Sequence, residues 1–219
     1  MLNLLTVHVL QDCKPIQTRC HYSTETALLH TMDSVFRSSD PGQPSLLVSL
    51  DMSAAFDTID HSILLNRLSV EFGVSGSVLT WLKSYLTGRY QCVRVGQASS
   101  SHTLCHTGVP QGSVLGPILF SCYISPISFI ANTFGVGIQQ YADDTQLYVS
   151  LSPTDMHAQQ SLLSDCLSAL HSWFCHNGLA LNSTKSESIL IGTRQCLRTH
   201  PPIASPTIGF KIRLSVKYN

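Results

Sequence analysis

Tyr141-Ala142-Asp143-Asp144-Thr145-Gln146-Leu147-Tyr148-Val149 sets two acidic residues at the mouth of an apolar, aromatic run. Such a run reads as a strand, and the wider segment Gly137–Leu151 reads as a hairpin folded around the Asp pair. A second run, Leu46-Leu47-Val48-Ser49-Leu50, ends on Asp51 and continues Met52-Ser53-Ala54-Ala55-Phe56-Asp57. Two strand ends can therefore deliver carboxylates to one point. Adjacent side chains of an extended chain face opposite ways. Asp143 and Asp144 share one site only if a tight turn lies between them, so Asp143 is preferred over Asp144.

Converging carboxylates at strand ends suit nucleotidyl transfer. The attacking hydroxyl must lose its proton, charge builds on the phosphoryl oxygens, and the leaving pyrophosphate is a polyanion. Two Mg²⁺ ions roughly 3.5–4 Å apart meet all three needs. Mg²⁺ takes hard oxygen ligands and only one or two carboxylates besides substrate phosphates and water, so two or three well-placed Asp residues suffice. A metal-dependent hydrolase would also need a positioned water and a base, and His61 is the one histidine near either acidic cluster.

The chain has 219 residues, 43% of them hydrophobic, enough to bury a core. Lys+Arg 13 balance Asp+Glu 13, so composition alone lends no support to a polyanionic partner. The eight cysteines contain no Cys-x-x-Cys pair, which argues for free thiols over a disulfide framework or a zinc site. Met1–Leu10 is apolar but short and lacks a basic lead, so neither a signal peptide nor a membrane span is expected there.

Periodicity outlines the remainder. Leu28, Met32, Val35 and Phe36 recur at helical spacing from a cap at Ser23 to Ser38, and the loop Ser38–Pro44 ends that helix. Helices are expected over Ser62–Leu68, with Asp60 near the cap, and over Ser77–Leu86, stopped by Gly88. Gln91–Val95 and Thr103–Thr107 read as a half-buried hairpin. Gly108–Pro117 is a glycine- and proline-punctuated loop into an apolar helix, Pro117 to about Ile130. A helix from Pro153 to about His176 carries the core stripe Leu163, Leu167, Leu170 and Phe174. Short strands follow at Leu179–Leu181 and Ile189–Ile191.

Four segments thus stand in one order: Leu46–Asp51 into Phe56-Asp57, Gly108–Phe120, Tyr141–Leu147, and Leu181-Asn182-Ser183-Thr184-Lys185-Ser186-Glu187. Their order and spacing resemble motifs A to D of the reverse transcriptase domain of non-LTR, LINE-like retrotransposons, with Ser23–Leu28 and His61–Leu65 as further similarities. The resemblance implies that Asp51, Asp143 and Asp144 hold two Mg²⁺ ions, with Ala142 in the variable place of the Tyr-x-Asp-Asp turn. It implies that Phe56 crowds the sugar 2′ position, that Gln111 and Gly112 lie against the incoming nucleotide and template base, and that Lys185 donates a proton to pyrophosphate.

The resemblance implies an α+β fold, the right-hand polymerase palm, with a small antiparallel sheet backed by helices. Residues 45–192 would be the palm with motifs A to D. Residues 1–44 would be partial fingers, with Arg19 in a segment shorter than in the family. Residues 193–219 would be a truncated remnant, with the thumb absent. The implied activity is RNA-directed DNA polymerisation from dNTPs on a primer 3′-hydroxyl; the alternative is a catalytically inactive remnant of a truncated element copy. The implied partners are RNA template, DNA primer and dNTPs, with no membrane, in the cytoplasm or nucleus.

Overall fold

The computed structural model describes residues 24–39, 43–152, 154–182, 184–199 and 213–218. Arg19, Ser23 and Ser183 lie outside them. The chain opens with α1 (Thr24–Ser39), β1 (Ser45–Leu50), β2 (Met52–Ser53), α2 (His61–Val70) and α3 (Gly76–Leu86). Four two-residue strands follow, β3 (Tyr90–Gln91), β4 (Arg94–Val95), β5 (Ala98–Ser99) and β6 (Thr103–Leu104), then α4 (Gly116–Ile124) and α5 (Pro126–Thr133). The acidic hairpin is β7 (Gly137–Tyr141) and β8 (Asp144–Ser150). After it come α6 (Met156–His176), β9 (Ala180–Leu181), β10 (Glu187–Gly192), α7 (Arg194–Thr199) and β11 (Arg213–Tyr218).

Five strands form the central sheet in the order β11-β10-β1-β8-β7. β1 lies between β8 and β10 and is antiparallel to both, which is why its sequence is almost continuously apolar. Leu46 and Val48 face Leu190 and Leu147 across the ladders, and all four are buried. This face joins α4 and α6 in one core. The α6 stripe Leu163, Leu167, Leu170 and Phe174 is buried, with Cys166 added to it, as a helical period requires.

Polar side chains on β8 meet α1 instead. Thr31 Oγ1 donates to Gln146 Oε1 at 3.3 Å and Ser34 Oγ to the Tyr148 hydroxyl at 3.4 Å. Tyr148 pairs with Gly137, where a Cβ would sit inside its ring. The glycine therefore makes room for the aromatic side chain that anchors the acidic hairpin to α1.

Four expectations change. The sheet is antiparallel except for the β10–β11 pair, which is parallel; Arg213–Tyr218, read as part of a remnant, supplies an edge strand. The helix expected to run to Ile130 breaks at Ser125, because Pro126 cannot donate the next helical hydrogen bond and starts α5. The arm between α3 and α4 is split into two short ladders, β3–β6 and β4–β5. Val93 and Val95 are exposed there, so alternation marked a strand but not a buried face. Among the described side chains of α1, Thr31 and Val35 are buried, while Leu28 and Phe36 are exposed.

Candidate active site

Asp51 stands where the chain leaves one sheet for another. Up to Leu50 it pairs within the central sheet, and from Met52 it pairs with β9. Neither main-chain group of Asp51 is used in a strand ladder. Its N–H donates to Ser186 Oγ at 3.1 Å, and its carbonyl accepts the Asn182 N–H at 2.8 Å. The Asn182–Ser186 loop therefore holds Asp51 by both backbone groups.

The β1–β8 register ends with Leu50 opposite Thr145, and its next step sets Asp51 level with Asp144. Tyr141 pairs with Asp144 across a two-residue turn, Ala142-Asp143. The turn thus lies before Asp144, one residue earlier than expected, and Asp144 feels the charges of both Asp143 and Asp51. Burial of the Asp144 carboxyl, then the charges of Asp143 and Asp51, push its pKa above the ordinary aspartate value of 3.8.

Among the described residues, the non-glycine residues with positive φ are Ala54 (49°) and Ala142 (52°). Ala54 lies three residues after Asp51, and Ala142 stands directly before Asp143. The left-handed region disfavours a Cβ by about 1–2 kcal/mol, and such strain collects where a structure over-determines a functional turn. After Ala54 the chain closes a tight turn, with the Asp57 N–H donating to the Ala54 carbonyl at 2.9 Å.

The Thr107–Gln111 loop is strapped to that turn. The Gly108 N–H donates to Ile59 O and the Val109 N–H to Phe56 O, each at 2.8 Å. His61, buried, donates Nε2–H to the Gly108 carbonyl at 2.7 Å. Gln111 Nε2 donates to Asp57 Oδ1 at 3.3 Å. His61 is thus engaged in holding the loop. Beneath it, Asp60 caps α2 by accepting the N–H groups of Ser62 and Ile63, a contribution of about 1 kcal/mol.

These straps frame a cleft of about 480 Å³ lined by Phe56, Gln111, Gly112, Ser113, Gly116 and Asp143, among others. That volume lies within the range of small-molecule sites. Phe56 stacks on Phe120 with ring centroids 4.9 Å apart, so its ring is braced from below. Of the sequence-predicted residues, Asp143, Phe56, Gln111 and Gly112 therefore line one cleft, with Asp51, Ala142 and Asp144 at its side. Lys185 is exposed on the loop that grips Asp51, and its ammonium makes no ion pair among the described residues. Sequence reasoning did not find Asn182, Ser186 and Gly108, whose roles run through the backbone, nor the bond that makes His61 a strap.

The model of the family described as reverse transcriptase (RNA-dependent DNA polymerase) matches residues 1–215. The chain belongs to the reverse transcriptase family. The match does not favour the alternative of an inactive remnant. Its relatives are reverse transcriptases of non-LTR retrotransposons. It is 32% identical over 159 residues to the Pol polyprotein of the type-1 retrotransposable element R2 of Popillia japonica, covering 66% of this chain and 21% of that protein. Against the probable RNA-directed DNA polymerase from transposon BS of Drosophila melanogaster it is 31% identical over 164 residues, covering 73% and 17%. The chain thus spans about a fifth of these relatives' length. Apo telomerase from Candida tropicalis superposes with a TM-score of 0.62 at 14% identity, covering 86% of this chain and 39% of that one. This likeness gives the reverse transcriptase chain its right-hand polymerase fold.

Family membership implies a metal, and the donor chemistry fits Mg²⁺. All three carboxylates are hard oxygen donors, they repel one another, and no cation neutralises them among the described residues. No group of three or more His, Cys, Asp or Glu that could by itself hold a metal ion is gathered among those residues. Mg²⁺ takes only one or two carboxylates besides waters and substrate phosphates.

Proposed function

We propose that this domain is an RNA-directed DNA polymerase that transfers a deoxynucleotide from a dNTP to a primer 3′-hydroxyl on an RNA template. The observation that carries the reading is the convergence of acidic strand ends beside the Phe56 cleft: Asp143 lines the cleft, and Asp144 is pushed up by its burial and by the charges of Asp143 and Asp51. Asp51, Asp143 and Asp144 would hold two Mg²⁺ ions. When bound, the ions would activate the hydroxyl and neutralise charge on the phosphates and the leaving pyrophosphate.

The chain's own residues bind and orient. Phe56, braced by Phe120, cannot yield to an added 2′-hydroxyl and selects deoxynucleotides. Gln111, with an amide donor and acceptor, meets the nucleotide, and Gly112 allows close backbone approach. Ala142 keeps the turn between Tyr141 and Asp144 small. Lys185, exposed on the loop that holds Asp51, would protonate pyrophosphate. The partners are RNA template, DNA primer and dNTPs, and the site of action is the cytoplasm or nucleus. No helix of the described residues is long and apolar enough to cross a membrane.

The test is Mg²⁺-dependent deoxynucleotide incorporation on a poly(rA)/oligo(dT) duplex, comparing the wild-type chain with Asp143→Asn. The reading expects incorporation that the substitution abolishes. A folded wild type that incorporates nothing, or a variant as active as wild type, overturns it.

A further inference from the structure

Ser186 is 1% exposed, and its Oγ accepts the Asp51 N–H at 3.1 Å from 135 residues away in the chain. A side-chain hydroxyl thus does for Asp51 what the ladders do for β1. We propose that Ser186 is a positioning residue for the divalent cation: it fixes the main chain of Asp51 and, through it, the aim of that carboxylate. The inference deepens the polymerase reading and rests on it for the cation that Asp51 would hold.

Topology leaves Asp51 as a gap between two pairings. β9 pairs with β2 at Met52 and Ser53, and β10 pairs with β1 from Ser49 back to Ser45. The chain from β9 to β10 is therefore fixed on both flanks of Asp51. Carried past Ser49 and Glu187, the β1–β10 register would bring Ser186 level with Leu50 and Lys185 level with Asp51. The chain turns instead. The Lys185 and Ser186 N–H groups both donate to the Asn182 carbonyl, at 3.3 and 2.9 Å. Asn182 Oδ1 braces this turn by accepting the Thr184 N–H at 3.1 Å and the Thr184 hydroxyl at 2.7 Å. Turning ends the ladder before it reaches Asp51, and the Ser186 hydroxyl takes the N–H left over.

Anchoring of this kind bears on which ion binds. Mg²⁺ demands near-ideal octahedral geometry, whereas Ca²⁺ takes six to eight oxygens in a flexible shell. A carboxylate whose backbone is free to turn therefore serves Mg²⁺ worse than it serves Ca²⁺. Groups that orient a ligand without touching the ion typically set its affinity by about 10–100-fold. Ser186 stands in that relation to Asp51. It also adjoins Lys185, so one braced turn holds the metal ligand and carries the proton donor of the polymerase reading.

The test reads the rise of Tm with Mg²⁺ alone and with Ca²⁺ alone, without dNTP, for the wild-type chain, Ser186→Ala and Ser186→Thr. Ser186→Ala is expected to need about tenfold more Mg²⁺ for the same rise, with a much smaller change for Ca²⁺. Ser186→Thr keeps the hydroxyl and should respond to Mg²⁺ as wild type does. General loosening of the fold would lower the starting Tm and weigh on both ions alike. On the unsubstituted chain, hydrogen exchange read by mass spectrometry should show Mg²⁺ slowing the amides of Lys185 and Ser186 along with that of Asp51, a readout independent of how any variant folds. The inference is overturned by an unchanged Mg²⁺ response in Ser186→Ala, by an equal loss for both ions, by a folded Ser186→Thr that behaves as Ser186→Ala, or by protection that spares Lys185 and Ser186. A wild type that responds to neither ion overturns the metal reading and the inference together. Mg²⁺ binding without incorporation sinks the polymerase reading and leaves the role of Ser186 standing.

Discussion

Gly108 and Asp57 meet backbone to backbone: a Cβ on Gly108 would lie 2.9 Å from the Asp57 carbonyl oxygen and 3.1 Å from its Cα. Gly108 also has φ +88°, a conformation that L side chains rarely adopt. Gly108→Ala is therefore expected to push the Thr107–Gln111 loop off the Asp57 turn and to destabilise the fold by about 2 kcal/mol. Urea unfolding measures the loss. An unchanged midpoint would mean that the contact is absent in solution.

Asp144 makes the metal-free protein sensitive to pH. Its folded-state pKa lies above the ordinary 3.8, so the folded chain binds the proton more tightly than the unfolded one. This contribution to stability is fully present below about 3.8 and is lost as pH rises through the raised value. In EDTA at neutral pH, Asp144→Asn should have a higher Tm than wild type, and the difference should vanish as pH falls below the aspartate range. Addition of Mg²⁺ should raise the wild-type Tm more than the variant's. Equal Tm values at every pH would show that the three carboxylates do not repel.

Ala142 occupies the left-handed region with a Cβ in place. Ala142→Gly removes that strain of about 1–2 kcal/mol but loosens the unfolded chain by about 0.4–1 kcal/mol. The net change expected is small and favourable. Ala142→Val adds a β-branched side chain and should destabilise clearly. Thermal melts of the two variants should therefore fall on opposite sides of wild type.

Arg67 is buried between helices. It donates to the Tyr123 carbonyl and to Asn177 Oδ1 and pairs with Glu71, and its guanidinium faces the Tyr123 and Trp173 rings. The Tyr123 hydroxyl in turn donates to Asn177 O and accepts the Asp60 N–H. Arg67→Ala leaves these acceptors without their donor and should cost about 3 kcal/mol, read by denaturant unfolding. A loss below about 0.5 kcal/mol would place the network in contact with water.

The thiols should separate by burial. Cys92 and Cys175 are exposed, whereas Cys122 and Cys166 are buried, and burial pushes the Cys166 thiol up to about 11. At pH 8 its thiolate is scarce as well as covered. Iodoacetamide on the native chain should modify Cys92 and Cys175 well before Cys122 and Cys166, as peptide mass mapping would report. Early labelling of Cys166 would mean that α6 opens readily.

Motifs that combine a period with a special residue type were legible in sequence. Apolar runs bounded by Asp51 and Asp144 marked the end of β1 and the start of β8, and Asp60 marked the start of α2. Features depending on which surfaces meet were not. Val93 and Val95 have strand-like spacing, but spacing says nothing about whether a layer lies beneath them. Leu28 and Phe36 repeat at helical intervals, yet α1 buries Thr31 and Val35 because its contacts with β8 are made through hydroxyls. Ser186 and Asn182 act on the backbone of a residue far away in the chain, a relationship with no local signature. Pro126 was legible as a helix breaker and was passed over inside an apolar run.

The placement of β1 at the middle of the sheet sets an order of events on the ribosome. Ser45–Leu50 is the first of the five strands to be synthesised, yet one edge waits for Asp144–Ser150 and the other for Glu187–Gly192. Until both have emerged, the most apolar strand of the sheet carries bare hydrogen-bonding groups and can pair with a neighbouring nascent chain. Long-range pairing of this kind is slow and open to misassembly. Yield in the cell should thus depend on chaperones that shelter an early strand from its own late partners.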